Sequence, residues 1–141
     1  KQLSKMLAEI EKHIHESNAR PKKRYISPAT RKEDYAIYYD ELRRKIEQKG
    51  TTNFPQQDGK KLYGELTMIL TVSSDGQILD TEIAQSSGNK LLDRRAQAIV
   101  RSAGPFSSFS KTMRKQADQI VVSSHFTFTQ EENLETKLTG E

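Results

Sequence analysis

The 141-residue chain contains no cysteine. This absence excludes disulfide bonds and thiol chemistry, and it removes the ligands on which most structural zinc sites depend. Long apolar runs are also missing, since stretches such as Met68-Ile69-Leu70 are far shorter than the roughly 18–20 apolar residues that span a bilayer. The sequence begins with Lys1 rather than Met and shows no signal-peptide pattern, so we expect it to be part of a longer protein.

Apolar residues are scarce and charged residues are abundant, at 33% and 30% of the chain. The usual apolar share is higher, so we expect a small globular unit with a polar extension rather than one core throughout. Residues 1–50 hold 13 Lys and Arg against 8 Asp and Glu, whereas residues 51–141 hold 10 against 11. The basic excess near the start predicts either a solvated linker or contact with an anionic surface, such as phospholipid or a cell-wall polymer.

Two amphipathic helices are predicted in the first 50 residues. Segments 2–17 and 31–49 each carry apolar residues at spacings of 4, 3 and 4, which line one helical face. The basic stretch between Pro21 and Pro28 is expected to be a linker, and Gly50 is expected to end the second helix. We therefore assign residues 1–30 to a helical extension with a basic linker.

The remaining sequence predicts an α+β domain over residues 31–130. Alternating apolar residues indicate strands at 62–72, 77–85 and 120–128, and a helical stripe indicates a helix at 90–103. We expect a small three-stranded antiparallel sheet packed against one or two helices, with the helical extension before it. Residues 105–118 are expected to form a loop, and 131–141 a loose polar tail.

The last strand is expected to lie at the edge of the sheet, because no later strand is predicted. Its apolar residues alternate, which gives it one buried face. An open edge can accept a strand from another protein. The sequence therefore predicts a docking strand at the end of the domain.

No residue pattern indicates catalysis or a bound cofactor. His13 and His15 point in different directions on a helix, and His125 is expected to be a solvated strand residue. The sequence has no Gly-rich phosphate loop and no HExxH motif. The basic residues are not interleaved with aromatic residues on a strand, which argues against a nucleic-acid partner.

Segment 54–128 resembles the C-terminal domain of the TonB energy-transducer family. The short motifs that carry this resemblance occur in the family's order, as Phe54-Pro55, Gly64, Asp75-Gly76, Ser86-Ser87-Gly88, Leu92-Asp93, Ala96, Val100-Arg101, Pro105-Phe106 and the closing strand 120–128. Each motif alone is common, whereas their order and spacing together are specific. Three positions depart from the family pattern: Phe54 stands where Tyr is frequent, Ser107-Ser108 where Pro-Pro is frequent, and Arg95 where a small residue is frequent.

The resemblance implies a mechanical function without enzymatic activity, cofactor or metal. Members are anchored by one segment in the inner membrane of Gram-negative bacteria, lie on its periplasmic side and are energised there by the ExbB–ExbD complex. Their C-terminal domain binds the TonB box, a short peptide of outer-membrane receptors for transport such as siderophore and iron uptake. The peptide adds as a strand beside the last strand, and open edges in the family can also form homodimers.

The resemblance places partner binding on two groups of residues. These are Phe54, Pro55 and Gln56, together with Ile120, Val121, Val122, Ser123, Ser124, His125, Phe126, Thr127 and Phe128. A six-residue strand addition gives about 2–9 kcal/mol from its backbone hydrogen bonds, and micromolar affinity needs about 8 kcal/mol. We therefore expect Phe54 and Pro55 to act as side-chain anchors, although a packed turn before the first strand explains them equally well.

Two other functions remain open from the sequence. One is a structural adaptor similar to the TolA domain, which would serve envelope integrity or the assembly of a surface machine. The other is an oligomerisation module that associates through the helix predicted at 2–17.

Overall fold

The computed structural model describes residues 22–28 and 33–139, so the helix predicted at 2–17 lies outside the described residues. The elements in chain order are β1 (Lys23–Ile26), α1 (Glu33–Thr52), β2 (Gln56–Gln57), β3 (Lys60–Lys61), β4 (Gly64–Ser73), β5 (Ile78–Gln85), α2 (Lys90–Ala103), α3 (Lys111–Gln116), β6 (Gln119–Phe128) and β7 (Leu134–Leu138). The fold is α+β, as the sequence predicts.

Five strands form one mixed sheet with the order β1-β6-β4-β5, and β7 also pairs with β6. The pairing of β1 with β6 is parallel, whereas the other pairings are antiparallel. The prediction of a three-stranded antiparallel sheet is therefore wrong in strand number and in strand direction. A separate antiparallel pair, β2 with β3, lies between α1 and β4 in the chain.

One face of the sheet supports the hydrophobic core. Every second residue of β6 is buried, namely Ile120, Val122, Ser124, Phe126 and Phe128. Helices α1 and α2 add the side chains of Tyr35, Leu42, Ile46, Leu92 and Val100 to the same cluster. On the strands every second side chain is buried, and on α1 and α2 the buried side chains lie along one face of the helix. The sequence predicts both patterns.

Besides the short pair β2–β3, three elements lie where none was expected. Strand β1 lies in the predicted linker, α3 lies in the predicted loop, and β7 lies in the predicted tail. Within β7, Leu134 and Thr136 are buried while Glu135 and Lys137 are exposed. The tail is therefore structured as far as Leu138, because alternate residues of a mostly polar segment still bury one face.

Gly50 lies inside α1 and does not end it. The helix continues to Thr52. A Cβ atom added at Gly50 would lie 2.3 Å from Leu134 Cδ2. Gly50 therefore permits β7 to approach α1 closely, which explains a glycine in the interior of a helix despite its cost there.

The Asp75-Gly76 turn connects β4 to β5 and is held by the loop before α3. Gly76 has a φ of +85°, and its carbonyl oxygen accepts a hydrogen bond of 2.8 Å from the Phe106 backbone N–H. A Cβ at Gly76 would lie 2.0 Å from the Phe106 carbonyl oxygen. The two motifs Asp75-Gly76 and Pro105-Phe106 are thus parts of one contact.

The Ser86-Ser87 and Leu92-Asp93 motifs also meet in one contact. Asp93 is buried, and its carboxylate accepts hydrogen bonds from the Ser86 hydroxyl, the Ser87 hydroxyl and the Ser87 backbone N–H. Burial alone would raise the pKa of Asp93, but these hydrogen bonds outweigh burial and hold that pKa below its usual value. The Asn89 side chain caps the first turn of α2.

Candidate strand-docking site

Strand β6 lies inside the sheet rather than at its edge. One side pairs with β4 along the whole of Gln119–Phe128. The other side pairs with β1 at residues 119–122 and with β7 at residues 124–128. Between them, the Ser123 carbonyl oxygen accepts a hydrogen bond of 2.8 Å from the Thr139 backbone N–H. The prediction that the last strand is an open edge is therefore wrong, because β1 and β7 lie in segments that were assigned to linker and tail.

Strand β1 covers its half of β6 with little buried surface. Ile26 is the one buried residue of its four, and Tyr25 is 70% exposed. Next to the strand, the Lys22 carbonyl oxygen accepts hydrogen bonds from the backbone N–H groups of Asp118 and Gln119. The Lys22 N–H donates to the Asp118 carboxylate at 2.9 Å. These contacts make β1 a short strand held mainly by backbone pairing and one apolar side chain.

The Arg24 side chain adds one contact between β1 and the helical layer. Its guanidinium lies 5.0 Å from the centroid of the Tyr35 ring. A cation–π contact of this kind contributes about 0.5–1 kcal/mol at a partly exposed site. It therefore adds a small stabilisation to β1.

Strand β7 is fixed much more firmly to the domain. Leu134 and Thr136 are buried, and Leu134 packs into the space that Gly50 leaves on α1. The Glu47 carboxylate accepts hydrogen bonds from the Thr136 backbone N–H at 2.7 Å and from the Thr136 hydroxyl at 3.2 Å. The Thr51 hydroxyl accepts a hydrogen bond from the Leu134 N–H. Of the two strands on this side of β6, β1 contributes one buried side chain, Ile26, to the core, whereas β7 adds two buried side chains and three hydrogen bonds to side chains of α1.

The predicted partner residues fall into two regions. Ile120–Phe128 form one strand, whereas Phe54, Pro55 and Gln56 lie near its far end. The Phe54 ring is 8% exposed and lies 5.7 Å from the Phe128 ring and 5.8 Å from the Tyr63 ring, measured between centroids. Pro55 is buried and Gln56 is exposed. The Phe54 side chain is thus already packed within the domain.

The face of β6 that points away from the core carries His125. Its Nε2 atom lies 3.1 Å from a Glu65 carboxylate oxygen, and its Nδ1 atom lies 3.3 Å from the Thr67 hydroxyl. The hydrogen bond from His125 lowers the pKa of the exposed Glu65 carboxyl. Val121, Ser123 and Thr127, on the same face, are half-buried. His125 is therefore a surface residue with a carboxylate neighbour, rather than part of a catalytic group.

Within 22–28 and 33–139, no group of three or more His, Cys, Asp or Glu side chains is placed to hold a metal ion. No helix in the same residues is both long and apolar enough to cross a membrane.

The sequence missed β1 because two of its four residues are basic and the segment lies between two prolines. One signal was present, since Tyr25 and Ile26 both favour strands. Four residues are too few to show the alternation by which longer strands are recognised. The parallel partner lies 96 residues later in the chain, so only the folded arrangement identifies it.

Comparisons with known proteins agree with the geometry. A family model described as "TonB C terminal" matches residues 35–126, which run from the first turn of α1 to the eighth residue of β6. No curated protein and no solved structure shows a significant match to the chain. The family match covers more than half of the 141 residues and includes the strand pair β4–β6, the hairpin and both long helices. The chain belongs to the TonB C-terminal domain family, whose domains mediate protein–protein contacts.

Proposed function

We propose that this domain is the periplasmic coupling module of a TonB-like energy transducer. In this proposal it binds the TonB box of an outer-membrane receptor by strand addition and transmits force derived from the proton-motive force. The ExbB–ExbD complex would act on it through a single membrane anchor. Membership of the TonB C-terminal family supports this function, and the geometry of β6 supports strand addition.

The observation that carries the proposal is the short cover on the first half of β6. Residues Gln119–Val122 pair on one side with β1, which has four residues and one buried side chain. A peptide strand of similar length has the same backbone donors and acceptors and can take that place. Release of β1 exposes the β6 edge while β4, β5 and β7 remain paired around the core.

We place the receptor contact along Ile120–Phe128 with Phe54, Pro55 and Gln56 beside its far end. Within this set, Ile120–Val122 are the residues that become free when β1 leaves. Residues 124–128 remain covered by β7 in the folded domain. The first contact therefore forms at the start of β6, and Phe54 is reached only if the peptide extends along the whole strand.

Titration of isotope-labelled protein with a TonB-box peptide tests the proposal by NMR. We expect peptide-dependent shifts at Gln119–Val122 and at β1, since the peptide takes the place of β1. No shift in either segment at millimolar peptide would refute strand addition at this edge. Proline at Val122 is a poor variant for this test, because Val122 is buried in an internal strand and its loss would disturb the core.

A further inference from the structure

A basic groove runs between the second half of α1 and the second half of α2. It consists of two adjoining hollows of about 620 Å³ and about 370 Å³, which share Lys49, Thr52, Asn53 and Ser102. Four cationic side chains line these hollows, namely Lys45, Lys49, Lys61 and Arg95. No aspartate or glutamate lines either hollow. We call this surface the basic groove.

The cations of the basic groove are not neutralised by the described residues. Within 22–28 and 33–139, none of the four forms an ion pair, and none donates a side-chain hydrogen bond. Two other cations of the same helix do form ion pairs. Arg43 pairs with Asp40 and Glu47, and Arg44 pairs with Asp40. Helix α1 therefore has a compensated side and an uncompensated side, and the uncompensated side faces the groove.

This concentration of positive charge is local. Residues 33–139 hold 14 Lys and Arg against 15 Asp and Glu, so their net charge is −1. A general attraction to polyanions therefore does not follow from the charge of the domain. Grouped cations repel one another, and an anionic ligand in the groove would relieve that repulsion.

The other lining groups favour a peptide as the anionic ligand. Phe54 and Ile99 are less than 10% exposed and form an apolar floor beneath the cations. The side chains of Asn53, Gln56 and Ser102 supply hydrogen-bonding groups that suit a peptide backbone. A flat membrane surface would reach the rim of this concave site but not its floor. The volume of the larger hollow also lies within the range of about 300–1,000 Å³ that is usual for ligand sites.

We propose that the basic groove binds an acidic peptide segment of a partner protein, with carboxylates on Lys49, Lys61 and Arg95 and small apolar side chains on the floor. The groove shares Phe54, Pro55 and Gln56 with the far end of the proposed receptor contact, but it does not include Gln119–Val122, where β1 leaves β6. Lys45 and Thr52 lie about 10 Å apart along α1, a distance that three to four extended peptide residues would cover. A partner segment that alternates acidic and small apolar residues fits this arrangement.

The test compares two fluorescent peptides of about eight residues, one alternating Glu with Val and the other alternating Gln with Val. Fluorescence anisotropy with the full chain measures both affinities. We expect the Glu peptide to bind at least about tenfold more tightly, because several carboxylates contact the cations of the groove together. The advantage should decrease as salt is raised. Equal binding of the two peptides would overturn the proposal.

Matched charge reversals then locate the binding site. The double variant Lys49→Glu, Arg95→Glu should weaken binding of the Glu peptide by about tenfold or more. The control variant Lys111→Glu, Lys115→Glu carries the same charge change on exposed residues of α3. Its affinity for the Glu peptide should stay within about twofold of that of wild type. An equal loss in both variants would show a general charge effect and would refute the groove.

Two further measurements keep the result interpretable. If the Glu double variant does not fold, a milder variant, Lys49→Gln with Arg95→Gln, removes the same two charges. It should still weaken binding of the Glu peptide more than the control Lys111→Gln with Lys115→Gln. Sedimentation with phosphatidylglycerol vesicles at the same salt tests a lipid surface instead. Groove-dependent vesicle binding without saturable binding of the Glu peptide would overturn the peptide proposal. TonB-box binding at β6 should be unchanged in the groove variants, which separates this inference from the proposed function.

Discussion

Replacing Ile26 by alanine should tighten the binding of a TonB-box peptide, although it removes a buried contact. Ile26 is 4% exposed and is the one buried residue of β1. Its loss weakens the strand that covers Gln119–Val122 on β6. If the receptor peptide competes with β1 for this edge, a weaker competitor leaves the edge open more often.

The magnitude follows from the contacts of β1. Four paired residues form about four backbone hydrogen bonds, which contribute about 0.5–1.5 kcal/mol each. Burial of the Ile26 side chain adds about 1.5–3 kcal/mol, whereas ordering four residues of backbone costs about 4–8 kcal/mol. With the contacts of Lys22 and Arg24, the form in which β1 is paired with β6 is favoured by about 1–2 kcal/mol over the form in which β1 is released. Strand β1 is therefore released, leaving the edge open, in roughly 3–15% of molecules.

The apparent dissociation constant equals the intrinsic one divided by the open fraction. Truncation of Ile26 removes about 2 kcal/mol or more, which is enough to leave β1 open in most molecules. The peptide should then bind about 5–30-fold more tightly, as measured by isothermal titration calorimetry. The free energy of unfolding should fall by only about 1–2 kcal/mol, because the loss cannot exceed the free energy with which β1 closes.

Leu134→Ala provides the matched control. Leu134 is 2% exposed and belongs to β7, which covers the other half of the same side of β6. This truncation should cost about 2–5 kcal/mol of stability without freeing Gln119–Val122, so peptide affinity should stay near that of wild type. Hydrogen exchange reports directly on the edge, and those amides of residues 119–122 that point toward β1, such as the Gln119 N–H, should exchange faster in Ile26→Ala. Unchanged or weaker peptide binding despite faster exchange there would refute competition between β1 and the receptor peptide.

Three further variants test contacts within the fold. Gly76→Ala should lower the free energy of unfolding, measured in urea, by about 2–5 kcal/mol. The φ of Gly76 is +85°, and a Cβ there would overlap the Phe106 carbonyl oxygen. A loss below about 0.5 kcal/mol would contradict this contact. Gly50→Ala should destabilise the domain by about 1–2 kcal/mol, because the new Cβ clashes with Leu134. In a double-mutant cycle measured by thermal unfolding, Leu134→Ala should recover part of that loss. Strictly additive losses of the two variants would argue against the clash. Asp93→Asn should cost about 1–3 kcal/mol near pH 7. The folded pKa of Asp93 lies below its unfolded value of about 3.9, so its stabilisation is present above that value and disappears as pH falls through the folded pKa. The difference between wild type and Asp93→Asn in urea unfolding should shrink in acid, and a constant difference from pH 7 to pH 3 would contradict this linkage.

The sequence predicts the elements that carry a long periodic pattern. Strands β4 and β6 alternate over about ten residues, and α2 shows one apolar stripe, so their types and approximate bounds are confirmed. The short motifs of segment 54–128 are visible in the sequence. Their contacts emerge only from the structure: Gly76 and Phe106 are 30 positions apart in the chain, and Ser87 meets Asp93 across the turn between β5 and α2.

The status of a strand as edge or interior could not be predicted from its own residues. The pattern of β6 is the same whether its second side faces solvent or another strand, because alternation reports the two faces and not the two edges. Its edge is covered by β1 and β7, whose sequences are short and polar and whose extended conformation depends on the partner strand. The sequence thus indicates which strand can dock a peptide, but not what covers it.

The length of the edge that β1 covers limits the affinity of a peptide that replaces it. Four residues give about four hydrogen bonds, or about 2–6 kcal/mol before ordering costs, whereas micromolar binding needs about 8 kcal/mol. Phe54 cannot supply the difference at that position, because it packs on Phe128, which lies six residues or about 20 Å beyond Val122. The anchor must instead occupy the space that Ile26 fills opposite Val122. A TonB-box peptide with Ile or Val in that register should therefore bind more tightly than the same peptide with Ala or Ser there, and equal affinities would place the receptor contact elsewhere on the sheet.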